Sequence, residues 1–408
     1  MLNGLQVTGL IIERAARCAP HALAALRGPA YASPIAETEP TTRRRIPVAH
    51  PDLTGNELRY VVDCIETEWI SSQGAYVGRF EDAFAEYAGV PHAIACSSGT
   101  TALHLALVAL GIGPGDDVLV PAMTYVASAN AVSYVGANVV LVDSDPESLN
   151  VTPDAVAAAV TPATKAVIPV DLFGMPVDVP ALRGALPAGV AVVEDAAEAI
   201  GARVRGHHPG STADIATFSF FGNKTITTGE GGMVTCQAPE VAARVRLYRD
   251  QGQDPERTYF HPVLGFNYRL TNLQAAVGLA QMERIEHHLA ERRRVAERYA
   301  RQLADIDHLL HMQPVPGDTA HGNWMFTVVL RQGGADARDR VREHLAVDGI
   351  ETRPGFTPIH RLPMHADGGD YPVADWVGDS AVSLPTHGRL TDDDVDYVVT
   401  RLRAALGA

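Results

Sequence analysis

The chain is short of positive charge. Its 408 residues carry 33 Lys and Arg against 48 Asp and Glu, a formal net charge of −15. General nucleic-acid binding rests on neutralising phosphates with a surplus of Lys and Arg, so this balance argues against it. It still admits an anionic ligand, because a few local donors hold a phosphate whatever the global charge. Cysteine is scarce too. Cys18, Cys64, Cys96 and Cys236 show no C-x-x-C spacing. That argues against a zinc or other metal site and against a disulfide framework, and it suits a reducing, cytoplasmic compartment. No apolar run reaches the ~18 residues that span a bilayer. Internal repeats and low-complexity stretches are also missing.

What is present reads as an ordinary globular chain, 46% apolar and 20% charged, with length for two domains. Residues 1–45 stand apart. They are rich in Ala and Arg, hold few acids before Glu37, and end in Thr-Thr-Arg-Arg-Arg. A transit peptide shares part of this composition, whereas the short apolar piece Leu5–Ile12 lacks the basic run of a secretory signal. The segment is expected to be an extension, or an over-extended gene start, outside the fold.

From Ile46 onward, short apolar runs alternate with helical patterns. Strands are expected at His92–Ser97, Val118–Val120, Asn138–Val142, Lys165–Val170 and Val190–Glu194. Helices are expected at Thr101–Leu110, Tyr125–Val135, Asp154–Val160 and Val179–Leu186. Strands that are apolar throughout have both faces covered, and repeated β-α-β order implies a mainly parallel, doubly wound α/β sheet. Leu270 to about Ala304 reads as one long helix. It would link a large domain (46–290) to a small α+β domain (291–408), where Phe326–Leu330, Ala337–Val347 and Thr391–Leu406 are the expected elements.

Three motifs along this sheet carry chemistry. Ser97-Ser98-Gly99-Thr100-Thr101 lies between a strand and a helix, where backbone N–H groups and hydroxyls form a phosphate cradle. Glu194-Asp195-Ala196-Ala197-Glu198 follows a strand, where open α/β sheets bind ligands, and an acid there can pair with a cationic ring nitrogen. Lys224 leaves the aromatic run Phe218–Phe221 and enters Thr227-Thr228-Gly229-Glu230-Gly231-Gly232. Such a setting suits a lysine that forms a Schiff base with a bulky cofactor. Each motif alone has a bland counterpart: a capped turn, a helix-capping acid, a flexible hairpin. Together they supply what pyridoxal phosphate (PLP) requires.

The same segments, with Gly265–Asn272, resemble the DegT-type (DegT/DnrJ/EryC/StrS) sugar aminotransferase family from Ile46 to the C-terminus. Within that family the resemblance is strongest to the GDP-perosamine synthase branch. Its supporting segments are Trp69–Gly74, Thr225–Gly232 and Glu351–Pro354. The resemblance implies the PLP-dependent transferase type I (aspartate aminotransferase-like) fold. It also implies transfer of an amino group from L-glutamate to a nucleotide-linked, GDP-type keto-6-deoxyhexose, with 2-oxoglutarate as co-product.

The implied roles follow residue by residue. Lys224 holds the cofactor and shuttles the proton. Asp195 pairs with the ring nitrogen, Gly99, Thr100 and Ser219 hold the phosphate, and Tyr125 stacks on the ring. Glu198 falls near the ring's phenolic oxygen, where many members carry Gln or His; an acid there must share a proton. Asn267 corresponds to a residue supplied by the partner in a homodimer. Ser71, Ser72, Arg269 and His360 lie in segments that would meet the diphosphate or hexose. The dehydratase branch of this fold has histidine where Lys224 stands, so the lysine favours amino transfer. Two alternatives stay open: a keto-cyclitol or other secondary-metabolite acceptor, and a catalytically silent regulatory member of the fold.

Overall fold

The computed structural model describes residues 44–408. The N-terminal extension therefore lies outside the described residues except for its last two, and Cys18 lies outside them as well. Helices α1 (Glu57–Glu66) and α2 (Ala75–Ala88) come first. Then β1 (His92–Cys96), α3 (Gly99–Leu110), β2 (Asp117–Pro121), α4 (Ala127–Tyr134) and β3 (Asn138–Val142) begin the β-α alternation. It continues through α5 (Pro153–Ala159), β4 (Thr164–Val167), α6 (Val179–Gly184), β5 (Ala191–Asp195) and the short β6 (Arg203–Val204) to β7 (Ile215–Ser219) and β8 (Gly232–Cys236).

Seven of these strands form one sheet in the order β1-β8-β7-β5-β4-β2-β3. The run β7-β5-β4-β2-β3 is parallel, but β8 is antiparallel to both neighbours, β1 and β7. The sheet is thus mixed. A parallel partner needs a crossover of a dozen or more residues, whereas β8 returns directly from β7 through the Gly-rich segment that carries Lys224. Apart from the edge strand β3, the strands are buried almost end to end, because apolar clusters fill both faces.

Beyond α7 (Pro239–Arg249), the expected single helix from Leu270 to Ala304 is two: α8 (Asn272–Met282) and α9 (Ile285–Leu303). The break at Glu283–Arg284 contains neither Gly nor Pro. It is held from outside: Glu283 accepts hydrogen bonds from the Asn56 amide and the Tyr60 hydroxyl, and Arg284 pairs with Asp52 at 3.3 Å. Next come β9 (Leu310–His311), β10 (Thr319–Ala320, paired with β6), β11 (Phe326–Leu330), α10 (Gly334–Val347) and β12 (Arg353–Pro354). The chain ends with α11 (Pro372–Ser380), β13 (Ala381–Leu384) and α12 (Asp392–Leu406). A four-stranded antiparallel sheet, β12-β13-β11-β9, packs on a second core that includes Val295, Tyr299 and Leu303 of α9. Thr391 starts α12 with the expected cap, its hydroxyl accepting from the Asp394 N–H while the Asp394 carboxylate accepts in return.

Candidate active site

The carboxyl ends of β5 and β7 and the N-terminus of α3 converge on a cavity of about 450 Å³. Ser98, Gly99, Thr100, Tyr125, Asp195, Glu198, Ser219 and Lys224 all line it, so residues more than a hundred positions apart meet in one place. Ser98 caps α3, accepting from the Thr101 N–H while Thr101 Oγ1 accepts from the Ser98 N–H at 3.0 Å. This first turn faces Ser219 at very short range. A Cβ on Gly99 would stand 2.9 Å from Ser219 Cβ, and one on Gly232 would stand 2.3 Å from the Ser98 carbonyl oxygen. Both positions must be glycine for the helix start to reach the strand end. A helix N-terminus flanked by Ser and Thr hydroxyls is an anion site.

Adjacent residues Glu194 and Asp195 point to opposite sides of β5, as strand alternation requires. Asp195 lines the cavity. Its Oδ2 accepts from Ser128 Oγ at 2.8 Å and its Oδ1 from the Ala197 N–H at 3.2 Å. Burial raises its pKa; the Ser128 and Ala197 hydrogen bonds and the Lys224 charge oppose that rise. Glu194 turns away and accepts from the Gly210 N–H at 2.5 Å; burial pushes its pKa up to about 7.

Glu198 is held by a backbone in an uncommon conformation. Phe173 has φ of +59°, and its N–H donates to Glu198 Oε2 at 2.7 Å. The other oxygen, Oε1, lies 3.7 Å from Lys224 Nζ. The lysine amine also sits 3.9 Å from the centre of the Trp324 ring. Burial dominates both partners. It lowers the Lys224 pKa, with Glu198 opposing, and it lifts Glu198 to about 7 despite the lysine. Each is driven towards its neutral form, and for the amine that is the direction a nucleophile needs.

The other expected residues do not line this cavity. Asn267 bridges Asp250 on the chain's own β-like segment. Arg269 pairs with Asp250 at 2.5 Å. The Ser71 carbonyl accepts from the Asn272 N–H. His360 Nε2 is 3.0 Å from Asp375 Oδ1 and its ring packs on Tyr371. Ser72 is likewise not among the lining residues. Conversely, Ser128, Phe173, Trp324 and the lining residues Phe221 and Phe356 were not foreseen. One signal was available in composition: the chain contains two lysines, Lys165 and Lys224, and Lys165 is exposed.

The sequence pattern of the DegT/DnrJ/EryC1/StrS aminotransferase family matches residues 51–403. The chain belongs to that family. It is 51% identical to the GDP-perosamine synthase of Caulobacter vibrioides over 89% of this chain and 98% of that one. It is 42% identical to the GDP-perosamine synthase of Escherichia coli O157:H7 over 86% and 96%. Among solved structures, Spr1654 of Streptococcus pneumoniae in its PLP form superposes with a TM-score of 0.84 at 28% identity, covering 89% and 98%. The protein is therefore a PLP-dependent aminotransferase of the type I fold.

The cavity fits that cofactor. An anion cradle stands at the start of α3, and Asp195 is a buried carboxylate whose charge a cationic ring nitrogen would compensate. Lys224 is a desolvated amine between them. Among the described residues no group of His, Cys, Asp or Glu has the arrangement of a metal site. No helix among them is long and apolar enough to cross a membrane.

Proposed function

We propose that this aminotransferase converts a GDP-linked keto-6-deoxyhexose to the amino sugar, with L-glutamate as donor. The observation that carries the reading is the cavity itself, where Lys224, Asp195 and the Gly99–Thr100 cradle meet within about 450 Å³. The 51% and 42% identities to two GDP-perosamine synthases support the acceptor class. In this reading residues 46–290 form the cofactor-bearing domain and 291–408 the smaller one.

When bound, PLP supplies an electron sink that stabilises negative charge on the substrate carbon. The residues do the rest. The first turn of α3 and Ser219 would hold the phosphate. Asp195, fixed by Ser128, would keep the ring nitrogen protonated. Tyr125 would stack on the ring. Lys224 would hold the cofactor, and as an amine whose pKa burial lowers it would accept and return a proton at the substrate. Glu198, whose pKa burial lifts to about 7, stands 3.7 Å from the Lys224 amine and can take up or release a proton beside it. Donor and acceptor use the same cavity in turn, which requires ping-pong kinetics.

The same reading makes the active unit a homodimer in which Asn267 serves the neighbour's cavity. Support comes from its place outside the lining of its own cavity and from the exposed apolar residues Trp69, Tyr259 and Leu264. Ser71, Ser72, Arg269 and His360 remain proposed contacts for the sugar nucleotide. Incubating the protein with PLP, L-glutamate and GDP-linked 4-keto-6-deoxyhexose tests the acceptor. Mass spectrometry should show the GDP-amino sugar and 2-oxoglutarate. Turnover of a keto-cyclitol but of no nucleotide-linked ketosugar would overturn this acceptor.

A further inference from the structure

The region around Lys224 contains a buried cation that the reaction does not use. Arg292, on α9, is 5% exposed and has no carboxylate partner among the described residues. Its guanidinium instead gathers three carbonyl oxygens from distant segments. Nη1 donates to Trp324 at 2.8 Å and to Thr386 at 2.9 Å, and Nη2 donates to Lys224 at 3.2 Å. Burial pulls the guanidinium's pKa down to about 10, a cost that only these carbonyls offset. Trp324 makes the complementary contact. Its Nε1–H donates to the Asn223 carbonyl at 3.0 Å, while its ring carries the lysine amine at 3.9 Å.

We propose that Arg292 and Trp324 are positioning residues for Lys224: from the C-terminal half of the chain they hold the two carbonyls flanking its Cα and so fix where its amine stands. This rests on the reading of Lys224 as the cofactor-binding lysine. The planar guanidinium suits the task, since its fork of donors spans three acceptors where an ammonium cannot. The clamp also ties the backbone of a lysine in a Gly-rich return between β7 and β8 to α9 and to the residues just before β11. A second, electrostatic consequence follows, because the Arg292 charge also disfavours protonation of Lys224. The other charged or titratable groups around the lysine are Glu198, Asp195, Glu230 and Tyr125 on the cavity side. On the α9 side they are His50, Asp52, His287, His288 and Glu291.

The test uses apo-protein and follows covalent capture of PLP by its visible absorbance across pH. In capture the unprotonated amine attacks the aldehyde carbon, and the aldehyde oxygen leaves as water with the amine's two protons. Trp324→Phe keeps a ring beneath the amine and removes one hydrogen bond, so the plateau rate should fall about 3- to 10-fold with little change in Tm. Arg292→Met should lower the plateau at least as much and move the midpoint of the pH profile up by about half a unit, as a nearby positive charge is lost. Arg292→Lys keeps the charge and should restore the midpoint without restoring the plateau.

Wild-type plateaus in Trp324→Phe and Arg292→Met would overturn the proposal, as would plateaus that fall only in proportion to the unfolded fraction. If Arg292→Met does not fold, Trp324→Phe decides. Lys224→Ala separates this proposal from the reading beneath it. Persistence of the absorbance in that variant would sink the lysine assignment itself, whereas its loss beside wild-type plateaus elsewhere would sink only the clamp.

Discussion

At the floor of the cavity, Asp195, Glu198 and Ser219 are buried at 6 to 8% exposure, and backbone N–H groups or side chains occupy their polar atoms. At the rim, Tyr125 and Phe221 are 57% and 45% exposed, and the Tyr125 ring tilts against Phe356. The floor is made by strand ends that the core fixes in place. The rim is made by loop residues whose remaining surface faces solvent. The contrast separates two jobs within one cavity. Electrostatic control needs low dielectric and fixed geometry, so it sits at the floor. Stacking and the admission of a large second substrate tolerate exposure, so the proposed reading assigns them to the rim. A family of this kind can then change acceptor by changing the rim while the floor stays.

Substitutions at the floor should therefore cost far more than substitutions at the rim. The largest effect is expected for Asp195→Asn, which removes the charge proposed to face the ring nitrogen but keeps the shape and the Ser128 contact. Steady-state assays should show kcat lower by about 10²- to 10³-fold with the fold intact by circular dichroism. A loss under tenfold would erase the distinction between the two regions.

Glu198 gives a stability counterpart. Its folded pKa is raised from 4.5 to about 7, so the folded chain binds this proton more tightly than the unfolded chain. The stabilisation is fully present below about pH 4.5 and is lost as pH rises through 7. Glu198→Gln removes the penalty. The Tm of the apo variant should exceed that of wild type more at pH 8 than at pH 5, by the equivalent of up to about 3 kcal/mol. An offset that does not change with pH would show that this carboxyl is not forced towards neutrality.

The smallest effect belongs to the rim. Tyr125→Ala should weaken PLP binding by about 1–2 kcal/mol, roughly 5- to 30-fold in Kd by absorbance titration, leaving kcat at saturating cofactor within about fivefold. An effect on kcat as large as that of Asp195→Asn would show that the rim also controls the chemistry.

How much of this was legible in the sequence follows from the range of each interaction. Gly99, Thr100, Asp195, Ser219 and Lys224 were found because each sits in a short motif whose local structure, a capped helix start or a strand end, follows from a few neighbours. Ser128 meets Asp195 across 67 residues, Arg292 meets Lys224 across 68 and Trp324 meets Asn223 across 101. No local pattern announces such pairs. The break between α8 and α9 was hidden for the same reason, since the groups that hold it belong to Asp52, Asn56 and Tyr60, far away in sequence. The antiparallel β8 was foreseeable only as a direct return through glycines. The two-lysine composition was in plain view, and it narrows the candidates to Lys165 and Lys224 without any motif.

That composition makes the central claim easy to test. Treating the PLP-loaded protein with borohydride fixes the cofactor to whichever amine holds it, and peptide mass mapping then locates the added mass. The expected result is modification of the peptide containing Lys224 and none at Lys165. Label at Lys165 or at the terminal amine, with Lys224 unmodified in a fully active preparation, would contradict it.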